Sequence, residues 1–132
     1  MANISIVDSD QENVDSIASV LKSESHKLSF YTTAEALLAS LNKKRADMII
    51  IGVELEQGDG RNLSKFLQNE SPFKDIPVIL TSPFYHTEGE IRHYCCDDLV
   101  VMPLEPALLT VSVNKLLAKE QIKASKLQAA AN

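Results

Sequence analysis

The chain reads as an α/β protein built on a doubly wound, five-stranded parallel sheet with helices on both faces. Three observations predict it. Five short apolar runs alternate with stretches of helical periodicity, the pattern left by consecutive βαβ units. The central run, Met48 to Val53, shows no polar alternation, as a strand covered on both faces requires. A length of 132 residues with 45% apolar content makes one ordinary domain, able to bury roughly 68% of its unfolded surface.

The elements follow in order. Ile4-Ser5-Ile6-Val7 is the first strand, and a helix from about Gln11 to Ser23 sets Val14, Ile17, Val20 and Leu21 on one face. Leu28 to Tyr31 is a short second strand. Thr32 or Thr33 then supplies the N-cap of a helix carrying Ala36, Leu37, Leu38 and Leu41. After the central strand, Gly58-Asp59-Gly60 reads as a tight turn before a helix that buries Leu63, Phe66 and Leu67. Pro77 to Thr81 is the fourth strand, a short helix lies between about Glu88 and Tyr94, and Leu99-Val100-Val101 is the fifth strand. Pro106 suits the first turn of the last helix, whose packing face is Leu108, Leu109, Val113, Leu116 and Leu117.

Beyond Lys119 the apolar stripe thins while helix propensity stays high. Residues 1–118 therefore read as the domain and 119–132 as a C-terminal helical extension or tail. Lys115, Lys119, Lys123 and Lys126 fall along one stripe of that helix. The stripe is either a solvated helix end or a stalk leading to a partner.

Composition narrows the function classes. The longest apolar run is six residues, far short of a membrane span, and Met1-Ala2-Asn3 leads into a strand with no leader pattern. A cytoplasmic location without membrane attachment is expected. The net charge is −5, yet the residues from Lys115 onward carry +3, which leaves −8 on the body. So acidic a body repels nucleic acid, and none is expected as a partner. The two cysteines, Cys95 and Cys96, are adjacent and read as reduced thiols. With His86 and His93 they form a cluster of zinc-capable types whose spacing does not suit zinc, so no metal is expected there.

The stretch Asp47-Met48-Ile49-Ile50-Ile51-Gly52-Val53-Glu54-Leu55-Glu56-Gln57-Gly58-Asp59-Gly60 closely resembles the third strand and following loop of bacterial response-regulator receiver domains. The resemblance spans about residues 3 to 117 and implies a flavodoxin-like fold with strand order 2-1-3-4-5. It places Gly52 where the family carries its phosphoacceptor aspartate. Asp8 and Ser9 fall where the family has two adjacent acids that help to hold a metal, so Ser9 stands in for the direct ligand. Ser82 matches the hydroxyl position, or Thr81 if the register slips by one. Met102 replaces a lysine, and the resemblance implies a cis bond between Met102 and Pro103. The segment from Ser82 to Asp97 is about two residues shorter than in typical receivers, which truncates the fourth helix.

Aspartyl phosphorylation needs a carboxylate nucleophile, a divalent cation held by oxygen ligands, and a further positive charge on the phosphoryl oxygens. Glycine cannot be the nucleophile. The resemblance therefore implies a degenerate, non-phosphorylatable pseudo-receiver with no enzymatic activity and no cofactor. It would act as a protein–protein interaction or signalling module in a bacterial two-component-type pathway. Two fates are open for the vacated site: the side chain of Met102 fills it, or it accepts a new ligand. Asp8, Asp10 and Glu54, with Asp59 on the same side of the sheet, are the carboxylates from which a residual ion site could be built.

By the same resemblance, protein partners, or a second copy in a homodimer, dock on the face made by the fourth helix, fifth strand and fifth helix. Leu99, Val101, Leu104, Glu105, Lys115 and Lys119 lie in or near it, and Leu99 holds the place of the family's switch aromatic. The alternative is a receiver-like switch driven by another input, a small ligand, an ion or thiol oxidation at Cys95-Cys96, or else a residual phosphorelay response regulator.

Overall fold

Ile49, Ile50 and Ile51 are fully buried at the centre of the sheet in the computed structural model, which describes residues 2–131. They belong to β3 (Met48–Gly52), flanked by β1 (Asn3–Val7) and β6 (Val78–Ser82). The edges are β2 (Lys27–Tyr31), beside β1, and β7 (Asp98–Val101), beside β6. All four pairings are parallel, with registers such as Val7↔Ile51, Gly52↔Thr81 and Ser82↔Val101. The order β2-β1-β3-β6-β7 is the 2-1-3-4-5 arrangement once the small hairpin after β3 is set aside.

Side-chain alternation along these strands feeds two separate cores, one on each face. Val7, Ile49, Ile51 and Leu80 point to the side covered by α2 (Ala34–Lys43), α3 (Gly60–Asn69) and α4 (Glu88–His93), where they meet Leu37, Leu41, Leu63, Leu67 and Tyr94. Ile4, Ile6, Ile50 and Ile79 point to the side covered by α1 (Gln11–Ser23) and α5 (Pro106–Ala131), where they meet Ile17, Leu21, Leu109 and Val113. The helices start where side-chain oxygens accept orphan backbone N–H groups. Asp10 accepts from Glu12 N, Thr33 from Ala36 N and Asp59 from Arg61 N, and Thr87 forms a capping box with Glu90.

Three local readings are corrected. The turn after β3 falls at Glu56-Gln57, inside a hairpin of β4 (Glu54–Leu55) and β5 (Gly58–Asp59), and not at Gly58-Asp59-Gly60. Gly58 lies on the returning strand at φ 137°, where a side chain would be strained. Phe66 is 44% exposed, because α3 turns Gly60, Leu63, Ser64 and Leu67 inward. Leu108 is 62% exposed, because α5 packs through Leu109, Ser112, Val113 and Leu116. A 3.6-residue period identifies a helix, but leaves its rotation uncertain by about one residue.

Helix α5 continues without a break to Ala131, and every residue from Gln121 to Ala130 is exposed. Truncation after Gln121 is expected to leave the urea unfolding midpoint unchanged, whereas Leu109→Ala should cost about 2–5 kcal/mol. A truncation cost of similar size in the same unfolding curves would mean that the tail packs against the domain.

Candidate functional site

Parallel strands carry a ligand site, when they have one, at their carboxyl ends. Here Asp8, Gly52, Thr81 and Met102 meet at that end, around a cavity of about 170 Å³ also lined by Asp10, Asn13, Val53, Glu54 and Pro83. Asp8 directly follows Val7, and the Val7↔Ile51 register sets it beside Gly52. A Cβ added at Gly52 would lie 2.7 Å from Asp8 Oδ2 and 2.8 Å from its Cγ, closer than real Cβ contacts come. The Asp8 carboxyl group thus stands in the space that any side chain at position 52 would need.

Backbone and amide donors hold it there. Asp10 N donates to Asp8 Oδ1 at 3.0 Å, and Asn13 Nδ2 donates to Oδ2 at 3.4 Å. Asp8 is only 3% exposed, and the cavity lining contains no Lys, Arg or His among the described residues. Burial therefore pushes its carboxyl above the ordinary 3.8, against the opposing pull of the Asp10 and Asn13 hydrogen bonds. The backbone is equally crowded on the other side of Gly52. Gly60 N donates to Val53 O at 2.8 Å, and a Cβ at Gly60 would overlap the Gly52 carbonyl.

The remaining oxygens suited to a metal are engaged elsewhere. Ser9 Oγ accepts from Glu56 N at 2.6 Å, tying the loop after β1 to the β4–β5 hairpin. Asp10 caps α1. Asp59 caps α3 and also forms a bidentate pair with Arg61, which holds its carboxyl below the usual value. Glu54 is exposed on the hairpin. Among the described residues no group of three or more His, Cys, Asp or Glu side chains could hold a metal ion. The divalent cation that receiver chemistry requires does not fit this donor set, because one ligand position offers glycine and another a committed hydroxyl.

The two hydroxyls of β6 part company. Thr81, the register partner of Gly52, lines the cavity, and its buried Oγ1 has no hydrogen-bond partner. Ser82 turns to the opposite face, accepting from Phe84 N at 3.1 Å and meeting His86 Nε2 at 3.0 Å. His86 Nδ1 lies 3.3 Å from the Tyr94 hydroxyl and 3.6 Å from Glu90 Oε2. The Arg61 guanidinium sits 5.6 Å from the centre of the Tyr94 ring. Sequence reasoning missed this chain of contacts. In the sequence His86 reads only as a zinc-capable type, and Arg61 and Tyr94 carry no motif.

Met102 is half-buried at the cavity wall without filling it, and the Met102–Pro103 bond is cis. On the α4–β7–α5 face, Leu99, Val101 and Leu104 are half-buried, while Glu105, Lys115 and Lys119 are exposed. Leu108 and Val111 add exposed apolar surface to α5, and Phe84 and Tyr85 do so in the loop before α4. Cys96 is half-buried, and burial pushes its thiol up to about 12. No described helix is long and apolar enough to cross a membrane.

Comparison with known proteins agrees with this architecture. Residues 4–114 match the family model of the response regulator receiver domain. The heme response regulator HssR of Staphylococcus epidermidis is 29% identical over 126 residues, which cover 94% of this chain and 55% of that protein. Its counterpart in Staphylococcus aureus is 28% identical over 127 residues, covering 95% and 55%. The chain thus spans about half the length of these curated relatives. Among solved structures, the receiver domain of a signal transduction histidine kinase from Syntrophus aciditrophicus superposes with TM-score 0.81 at 22% identity, covering 90% of this chain and 92% of that one. Chemotaxis response regulator CheY4 of Vibrio cholerae gives 0.79 at 19% identity, covering 88% and 98%.

Two outcomes follow from the Asp8–Gly52 contact. Gly52→Ala should destabilise by about 1–3 kcal/mol through overpacking, although alanine is otherwise favoured over glycine in a strand. The same change in an Asp8→Ala background should cost little, and a double-mutant cycle of unfolding free energies that shows simple additivity would remove the contact from the account. Asp8→Asn should raise Tm at pH 7. A raised native pKa means that the native state holds the proton more tightly, so stability falls as pH climbs from 3.8 through the native value. The gain from asparagine should therefore vanish below that range in a pH series of melting curves.

Proposed function

The chain belongs to the response regulator receiver domain family, and on that premise we propose that it is a non-phosphorylatable member working as a protein-interaction module in two-component signalling. The observation that carries this reading is the Asp8 carboxyl group standing over Gly52. The acceptor is absent, and the space it would occupy holds another acid. Ser9 is bonded into the hairpin and Met102 brings no positive charge, so neither metal nor phosphoryl oxygens find their partners.

What remains to act is surface. The α4–β7–α5 face offers exposed Leu108 and Val111 beside half-buried Leu99, Val101 and Leu104, with Lys115 and Lys119 at the rim. We assign partner binding, or pairing of two copies, to that face. Aromatic residues and apolar groups ringed by charge are what interaction surfaces present. Binding there is constitutive and independent of phosphate. Cys96 is a poor target for thiol oxidation as an alternative input, because burial pushes its thiol up to about 12 and leaves it a weak nucleophile.

Incubation with acetyl phosphate and Mg²⁺ is expected to leave the intact mass unchanged. A hydroxylamine-sensitive adduct of one phosphate would overturn the reading. Gly52→Asp alone is expected to remain unlabelled, since it sets a second carboxylate against Asp8 and still lacks the cation. Efficient labelling of that variant under the same conditions would show that Ser9 and Met102 are no obstacle.

A further inference from the structure

We propose that the cavity over Gly52 receives a single protonated amine or guanidinium group, from a small amine or from a Lys or Arg side chain of a partner. The inference rests on the site's being unable to take a metal-bound phosphoryl group, and goes beyond it by naming what the site takes instead.

Charge is the first support. Asp8 is 3% exposed, Asp10 and Glu54 join it around the cavity, and none of the lining residues is basic. A buried carboxylate without a counter-ion is costly, so a cation that enters gains more here than at an exposed acid. The second support is independent of charge. Thr81, 3% exposed and lining the same cavity, has a hydroxyl oxygen with no hydrogen-bond partner. A buried polar atom left unpaired calls for a ligand that supplies the missing bond. An ammonium or guanidinium donates to Asp8, and to Thr81 once that buried hydroxyl turns toward the cavity, whereas an anion would be repelled.

Shape and donor count select the class of cation. Mg²⁺ requires near-octahedral oxygen coordination, and Gly52 and the committed Ser9 hydroxyl leave that set incomplete. An organic monocation needs only acceptors. Val53, Pro83 and Met102 contribute apolar surface to the lining, which suits the hydrocarbon stem behind such a head group. A volume of about 170 Å³ admits the head and a short stem and excludes anything as large as a nucleotide.

The test is a chemical-shift titration of the ¹⁵N-labelled protein with ethylammonium or methylguanidinium chloride, against equal concentrations of NaCl. Saturable shifts are expected at the Gly52, Val53 and Thr81 amides. Tetramethylammonium, which has no N–H donor, and MgCl₂ should produce none at these positions. Asp8→Asn should weaken binding tenfold or more, and Thr81→Val, which leaves the carboxylate in place, by three- to tenfold. A capped tripeptide with a central lysine separates the sources: tighter binding than ethylammonium assigns the cavity to a partner's side chain, and equal or weaker binding assigns it to a free amine. Absence of saturable shifts with both cations, or an undiminished response in Asp8→Asn, would overturn the proposal. Shifts with MgCl₂ together with a phosphate adduct from acetyl phosphate would instead overturn the reading of the site as non-phosphorylatable.

Discussion

Two groups compete for one volume at the carboxyl end of the sheet. With the Asp8 carboxyl group placed as it is, even a methyl at position 52 would come within 2.7 Å of Asp8 Oδ2, so a side chain there requires Asp8 to shift. Glycine leaves that space to the Asp8 carboxyl group, and the backbone around it is packed as closely. The end of β3 stays slim enough for the first residue of α3 to approach, where Gly60 likewise has no room for a side chain. The hairpin between them closes through Ser9, whose hydroxyl accepts from Glu56 N. Gly52, Gly60, Ser9 and Asp8 therefore lie in one closely packed corner of the domain.

Much of this could be read in the sequence, for a physical reason. A doubly covered parallel sheet must be continuously apolar at its centre, and Met48 to Ile51 could belong to little else. Element order and strand order followed from that and from the family resemblance. Helix rotation was harder to read. Phe66 and Leu108 lie one position off the buried stripe, and a run such as Leu108-Leu109 gives periodicity no means of choosing between neighbours. The turn was misplaced because Gly58-Asp59-Gly60 looks like a turn, although Gly58 serves a returning strand and Gly60 a close approach.

At the site, the identities were legible and the geometry was not. Position-by-position comparison exposed the losses at Ser9, Gly52 and Met102. It could not reveal that the Asp8 carboxyl group lies against Gly52, that Thr81 and not Ser82 shares its cavity, or that Ser82 bonds to His86. These depend on alternation at the last residue of a strand and on a ring eight residues after that strand begins, between parts of the chain that no motif links. The result is a hydroxyl connected through an imidazole to Tyr94 and Glu90 at α4, with Arg61 over the Tyr94 ring joining α3 to the same network. An aromatic ring thus reaches this region from the end of α4, while Leu99 on β7 packs into the core beneath.

Electrostatics makes Gly52 and Met102 compatible with each other. A receiver site of full chemistry sets several carboxylates side by side, and a metal and a lysine must then offset them. Removing the lysine alone would leave those acids in unrelieved repulsion, and removing one acid alone would leave the lysine ammonium facing a depleted partner. Replacing the pair by Gly52 and Met102 reduces the cavity floor to one buried acid, Asp8, held by a backbone N–H and an amide. That acid still bears an uncompensated desolvation cost, which its raised pKa records. A partner that brings a single positive charge would relieve that cost. The same arithmetic is the basis for expecting Gly52→Asp alone to stay unlabelled: a second acid raises the repulsion, and a cation alone has nothing to transfer.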